Sequence, residues 1–250
     1  MIASLPMYLT PLTVAGYARF WAAIRDHLRQ AGINAPDRLA TEIPDLLTHW
    51  RDPDLLMSQT CGLPYRAVLK AHVTLVGTPD YGLPGCPPGH YNSVVITRDD
   101  LAIESLADLT GRPFAYNEPQ SQSGWAALAL TRPEVLTGHK RHTGSHRASV
   151  RAVRGGEADF ATIDAQTWRQ LAGLGETEGL RVVDRTAPVA GLPLITGQPD
   201  LAPHLQEAVR AAIAALSDTD RSTLGIRDLI VLPPGAYDLP IPPTPEAIGA

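Results

Sequence analysis

A short polar stretch between two apolar segments holds the residue types best suited to bind an anion. It follows the strand-like run 113–116 and precedes the Ala/Leu-rich, helix-like segment 126–130. It runs from Asn117 to Trp125 and contains Ser121, Gln122, Ser123 and Gly124. The first N–H groups of a helix lack internal partners and the helix dipole makes that end positive, so an anion binds well there. Serine hydroxyls would add donors and glycine would allow close approach, although serine is also a common helix cap.

A basic stretch, 138–154, contains five Lys or Arg residues and three histidines with no acid. It is either a solvated basic surface or a positive field beside an anion site. His146 comes one residue after Ser145, which we expect to cap a helix. Its ring would then lie near a helix N-terminus and could donate to a bound oxyanion, the alternative being a surface or structural role.

Three tyrosines and one aspartate lie where open α/β sheets bind ligands. Tyr8, Tyr65 and Tyr91 each fall at a strand end or a helix start, and a tyrosine offers an apolar face with a hydroxyl. The alternative for each is ordinary half-buried packing. Asp164 ends the strand-like run 160–163, where it either faces a cleft or caps the next helix, and we favour the cap.

Motifs of catalysis and of metal binding are absent from the sequence. It contains no G-x-S-x-G, no P-loop, no G-x-G-x-x-G and no H-E-x-x-H. The spacing of Cys61 and Cys86 matches no zinc pattern. We therefore expect no catalytic residue, no metal and no cofactor. The two cysteines form a disulfide if the protein is exported, or stay reduced in a cytoplasm.

Composition indicates a folded protein that does not bind nucleic acid. Hydrophobic residues make up 44% and charged residues 19%, with a formal net charge of −5. A general nucleic-acid binder would carry a basic excess, and no apolar run has transmembrane length. The residues after Met1 lack a leader pattern. The location is therefore cytoplasmic as the sequence is written, or periplasmic if a leader was removed.

Strand-like and helix-like segments alternate along the chain, which predicts an α/β fold with mostly parallel sheets flanked by helices. The clearest helix is 13–31, whose apolar residues recur at steps of three and four. Pro and Gly cluster near Tyr91 and near 188–193, where the chain could cross between two lobes. From Pro233 onward the tail contains six prolines and should be extended.

Three stretches resemble the phosphate, phosphite and phosphonate substrate-binding proteins of ABC transporters. The run 91–99 (YNSVVITRD) is similar to the strand that enters that family's second lobe. The run 105–124 (SLADLTGRPFAYNEPQSQSG) resembles its "sLaDLkGkrfaf-dp-StSG" motif, and 143–159 resembles its "GsH-asv-aV--GeaDa" motif.

The resemblance implies a two-lobe type II periplasmic-binding-protein fold, with lobe 1 at 1–91 and 191–250 and lobe 2 at 92–190. It also implies a set of ligand contacts: Ser121, Gln122, Ser123, Gly124, His146, Tyr91, Tyr65 and Tyr8. Gln122 replaces the family's usual threonine. Asp164 is the one candidate acid for a ligand amine, and Leu192 stands where another acid would be expected. An amine-bearing ligand is therefore not expected.

The main hypothesis is a monomeric solute-binding protein that captures a small oxyanion by hinge closure and partners an ABC permease. One alternative is a cytosolic enzyme on the same fold, with His146 or Asp164 as the general acid or base. Another is a cytoplasmic ligand sensor. Fold analogy alone does not choose among them.

Overall fold

The computed structural model describes residues 1–249, and the contacts within the chain divide it into two compact units. Unit 1 comprises Met1–His90 and Ala190–Asp238, and unit 2 comprises Tyr91–Val189 and the tail from Leu239. No helix of the described residues has both the length and the hydropathy needed to cross a bilayer.

Twelve strands are formed by the described residues. In chain order they are β1 (Ile2–Ala3), β2 (Leu55–Gln59), β3 (Thr74–Asp80), β4 (His90–Tyr91), β5 (Ser93–Arg98), β6 (Phe114–Tyr116), β7 (Lys140–His142), β8 (Phe160–Asp164), β9 (Leu180–Arg185), β10 (Val189–Ala190), β11 (Leu194–Thr196) and β12 (Asp228–Ile230).

Within residues 1–249, eight α-helical segments lie between or after these strands. They are α1 (Val14–Gln30), α2 (Leu46–Trp50), α3 (Gly62–Pro64), α4 (Ala127–Ala129), α5 (His146–Arg154), α6 (Ala165–Gly173), α7 (Ala202–Ala214) and α8 (Asp218–Leu224). A π-helical turn, Tyr65–Leu69, continues α3, and another, Gln122–Ala126, leads into α4. The described part of the chain also has six 3-10 turns: Pro6–Tyr8, Leu106–Leu109, Pro133–Thr137, Pro199–Leu201, Pro234–Tyr237 and Pro245–Ala247.

Unit 1 is built on a five-stranded sheet in the order β1-β2-β11-β3-β12. Strands β1 and β2 pair in parallel, whereas β11 runs antiparallel to both β2 and β3, and β12 runs antiparallel to β3. Helices α1 and α7 pack together in this unit. The inner face of α1 buries Trp21, Ile24 and Leu28, as its spacing predicts, but Val14 is exposed at its first turn.

Unit 2 is built on a second five-stranded sheet in the order β7-β6-β8-β5-β9. Strands β7, β6 and β8 are parallel, and only β5, which pairs antiparallel with β8 and β9, runs the other way. Valines and isoleucines dominate β5 and favour a buried strand. The core includes Phe114, Phe160 and Trp125, with the two phenylalanine ring centroids 4.8 Å apart. Both sheets are therefore mixed: β11 and β12 run against the other strands of unit 1, and β5 runs against the other strands of unit 2.

The tail packs with unit 2, whereas the predicted lobe 1 included all of 191–250. The indole N–H of Trp125 donates to the carbonyl of Pro243 at 2.8 Å, and Lys140 donates to the carbonyl of Ile248 at 2.7 Å. Ile248 also packs on the core of unit 2. Ala250, which the predicted lobe includes, lies outside the described residues. The tail belongs to unit 2 because these hydrogen bonds and the burial of Ile248 stabilise it there. Its place at the end of the sequence does not determine which unit it packs on.

Candidate functional site

Ser121 begins the helical segment that the sequence singles out for anion binding. Its Oγ accepts a hydrogen bond from the backbone N–H of Gly124 at 3.0 Å, and its carbonyl accepts from Ala126 N–H at 3.0 Å. The second bond spans five residues and makes the first turn π-helical, a form that is frequent at functional sites. Ser121 is therefore a helix cap, the simpler of its two interpretations.

Ser123 and His146 meet at the start of two different helices. The Oγ of Ser123 lies 2.8 Å from Nε2 of His146 and 3.5 Å from Oγ of Ser121. Ser145 caps α5, because its Oγ accepts from Ala148 N–H at 3.1 Å. Gly144, at φ +83°, supplies the left-handed backbone that the preceding turn requires. Two sequence regions 23 residues apart thus place their polar side chains together.

Gly124 contributes through close packing. A Cβ at this position would overlap Oδ1 of Asn117 and lie 3.2 Å from Cε1 of His146. The side chain of Asn117 thus occupies the space that a larger residue would need. Asn117 is the first residue of the polar stretch 117–125, but the sequence alone gives it no role. A short polar residue directly after a strand is a usable signal.

Two buried hydroxyls from the sheet fix the first turn of this helix. Ser93 Oγ donates to the carbonyl of Ser123 at 3.0 Å, and Thr162 Oγ1 donates to the carbonyl of Gly124 at 2.8 Å. Both side chains are at most 2% exposed. They provide partners for two carbonyls that a buried helix must satisfy. Sequence analysis missed both, and the available signal was a hydroxyl residue inside an otherwise apolar strand.

His146 is neutral at pH 7. Burial lowers the pKa of its imidazole from 6.5 to about 4, and a hydrogen bond with the Thr162 backbone acts in the opposite direction. A neutral imidazole has one N–H donor and one acceptor nitrogen. His146 can therefore orient a hydroxyl or donate one hydrogen bond to an oxyanion, but it does not supply a full positive charge.

Acids pair with much of the basic stretch 138–154. Glu176 accepts from Arg147 Nε at 2.7 Å, and Arg151 lies 3.7 Å from the same carboxylate. Arg141 pairs with Glu157, and His142 lies 3.0 Å from Glu118. The predicted positive field is therefore largely cancelled. The sequence obscures this pairing because the acids come from other elements.

The structure places Asp164 and Tyr91 in unit 2. Asp164 Oδ1 accepts from the N–H groups of Gln166 and Thr167 at 2.8 and 2.9 Å, which is the helix cap that we favour from the sequence. Tyr91 is 2% exposed at the end of β4. A ligand contact by either residue stays a prediction.

Tyr8 and Tyr65 belong to unit 1, where both are buried in aromatic pairs. Tyr8 meets Tyr81 and Tyr65 meets Tyr237 edge to face, each with ring centroids 5.1 Å apart. Burial also raises the pKa of the Tyr65 hydroxyl, which stays protonated at neutral pH. Packing against these aromatic partners explains why both rings are buried. A ligand contact by Tyr8 or Tyr65 stays a prediction.

The two cysteines are not joined in a disulfide. Over residues 1–249 no cluster of three or more His, Cys, Asp or Glu side chains could hold a metal ion.

Comparison with known proteins places the chain in a family. The family model described as ABC transporter, phosphonate, periplasmic substrate-binding protein matches residues 2–231. The chain belongs to this family of periplasmic phosphonate-binding proteins. No curated protein matches the chain. Family membership makes the protein a substrate-binding component of transport and not an enzyme, which confirms the solute-binding part of the main hypothesis. The monomer, the hinge closure and the permease partner stay predictions.

Solved structures share the fold of this phosphonate-binding family member. PhnD1 from Prochlorococcus marinus, in complex with methylphosphonate, is 16% identical with a TM-score of 0.68, over 95% of this chain and 94% of PhnD1. A binding component of a phosphonate ABC transporter from Pseudomonas aeruginosa has the same identity and TM-score, over 95% of this chain and 82% of its own. XAC2383 from Xanthomonas citri, bound to ATP, is 14% identical with a TM-score of 0.63, over 94% of this chain and 92% of its own. These similarities confirm the α/β two-lobe fold class.

Proposed function

We propose that this protein binds a phosphonate, or a closely related phosphorus oxyanion, at the start of the helix 122–129. The observation that carries the proposal is the pair formed by Ser123 Oγ and His146 Nε2, 2.8 Å apart beside a buried helix N-terminus. Both residues lie in stretches that resemble the family's binding motifs. Gln122 and Gly124 complete the proposed contacts from this turn, and Tyr91, Tyr65 and Tyr8 are further proposed contacts.

The chemistry of this site suits an anion held by neutral hydrogen-bond donors. Hydrogen bonds from neutral donors to a charged acceptor are shorter and stronger than bonds between neutral groups. The helix N-terminus adds a partial positive charge and oriented N–H groups. Ser121 and Ser123 are only 6% and 4% exposed, so little water competes for these donors.

The ligand itself is proposed to be a phosphonate without an amine. The relative from Prochlorococcus marinus was solved with methylphosphonate. In this chain Leu192 occupies a position where an acid for a ligand amine would be expected, and Asp164 uses Oδ1 to cap α6. An ammonium group buried without a carboxylate partner would cost several kcal/mol.

We place this activity in the periplasm, together with an ABC permease that receives the ligand. The lobes are proposed at 1–91 with 191–238, and 92–190 with the tail. They would close on the ligand by a hinge motion of the kind that periplasmic binding proteins use. We expect a monomer, checked by its molecular mass in solution.

Calorimetric titration with methylphosphonate, phosphite, phosphate and sulfate tests the proposal. Ser123→Ala and His146→Gln should each weaken binding of the preferred oxyanion by about 10- to 150-fold, the range for a hydrogen bond to a charged group. Ser222→Ala and His139→Gln, at two exposed positions, are matched controls that should bind as the unchanged protein does. Equal affinity in both site variants would show that the oxyanion binds elsewhere.

A further inference from the structure

A cavity of about 240 Å³ lies within unit 2 beside the proposed oxyanion site. One wall is the helix 122–129 and its end, where Gln122, Ala126 and Leu130 recur at steps of four residues. Side chains at this spacing lie on one face of a helix. Tyr91 and Val189 line another wall, and Leu239 of the tail lines a third. Aliphatic side chains from several elements thus line much of this space, together with the hydroxyl residues Ser93, Thr131 and Thr186.

The cavity shares residues with the proposed oxyanion site. Gln122 belongs to the polar stretch that begins the helix and also lines the cavity. Ser93 lines it too, while its Oγ donates to the carbonyl of Ser123 at 3.0 Å. A group attached to an oxyanion at the helix start would therefore have this cavity next to it.

We propose that the cavity receives the organic substituent of the phosphonate, and that it selects a short, uncharged, apolar substituent. This inference rests on the proposed function. None of the described lining residues is an Asp, Glu, Lys or Arg. Transfer of an apolar substituent from water into the cavity is favourable. An ammonium substituent would lose its hydration there without a carboxylate to pair with.

The size of the cavity sets the length of the substituent. Pockets for drug-sized ligands enclose about 300–1,000 Å³, and this cavity of about 240 Å³ is smaller. It therefore suits a chain of a few carbons or a single small ring. Gln122, in place of the family's usual threonine, brings a longer amide side chain to the wall.

Calorimetric titration with methyl-, ethyl-, propyl- and butylphosphonate measures the effect of each added methylene. One buried methylene contributes about 0.8 kcal/mol, so affinity should rise about fourfold per carbon until the cavity is filled. 2-Aminoethylphosphonate should bind more weakly than propylphosphonate, which has a similar length without the charge.

Four variants test whether this cavity causes the rise in affinity with each added carbon. Ala127→Leu fills the cavity from the helix, and Ala187→Leu fills it from an exposed rim position that tolerates substitution. Both variants should reduce the rise in affinity per added carbon to less than twofold. Leu130→Ala enlarges the cavity and should shift the preference toward longer chains. Ala102→Leu, at an exposed position in the same unit that does not line this cavity, is the matched control and should keep the full rise.

Each outcome decides between the two proposals. If methylphosphonate binds but affinity does not rise with chain length, the substituent cavity is refuted and the proposed function stands. The same conclusion follows if the rise persists in both Ala127→Leu and Ala187→Leu. If no phosphorus oxyanion binds the unchanged protein, the proposed function fails, and the cavity proposal fails with it.

Discussion

At the residue scale, the sequence identifies the local signals and misses the long-range contacts. Ser121, Ser123 and His146 can be predicted because a cap and a helix start are encoded within a few consecutive residues. Ser93 and Thr162 support the same turn from β5 and β8. Their roles depend on strand register, which sets Ser93 opposite Asp164 and which no local pattern records.

His146 makes stability depend on pH in a defined direction. Its pKa in the folded protein is about 4, below the ordinary 6.5, because burial disfavours the charged ring. Between these pH values the unfolded chain binds a proton at this residue and the folded chain does not. The stabilisation is therefore complete above about pH 6.5 and is lost as the pH falls toward 4.

Urea unfolding at pH 7 and pH 5 measures this effect. The free energy of unfolding should fall more between pH 7 and pH 5 in the unchanged protein than in His146→Gln, whose side chain does not titrate. His139→Gln, at an exposed histidine, should behave like the unchanged protein. Identical pH dependence in the unchanged protein and His146→Gln would show that the ring is not buried as a neutral group.

At the element scale, helix positions follow from periodicity, while helix ends depend on caps. The sequence predicts 13–31 for the first helix, and α1 is Val14–Gln30. The second helix, α2, begins at Leu46 because the carboxylate of Asp45 caps it, accepting from Thr48 N–H at 2.6 Å. The sequence predicts an extended proline-rich tail, but it does not predict which unit the tail packs on. A segment without a repeating apolar pattern does not specify the surface that it covers.

Two isoleucines in the tail provide a matched test of that packing. Ile248 packs on the core of unit 2, whereas Ile241 is 60% exposed. Ile248→Ala should lower the free energy of unfolding by about 1–2 kcal/mol, less than a fully buried isoleucine would lose. Ile241→Ala should change it by less than about 0.5 kcal/mol. Equal effects in denaturant unfolding would mean that the tail does not stabilise unit 2.

At the scale of the whole molecule, the fold class follows from the alternation of strands and helices, and the strand order does not. Strand β11, near the end of the chain, lies between β2 and β3, and β5 pairs with both β8 and β9. These placements join segments far apart in sequence, so periodicity alone cannot assign them. Family membership connects the fold to transport, and the chain's own residues, above all Gln122 and Leu192, narrow the proposed ligand.

A crystal structure of the protein with methylphosphonate would test the central claim most directly. Phosphonate oxygens should lie within about 2.6–3.2 Å of Ser123 Oγ and His146 Nε2, the distances of direct hydrogen bonds. The methyl group should point toward the cavity that Gln122 and Leu130 line. A phosphonate bound elsewhere, or held without contact to either Ser123 or His146, would show that the helix start at Ser123 is not the binding site.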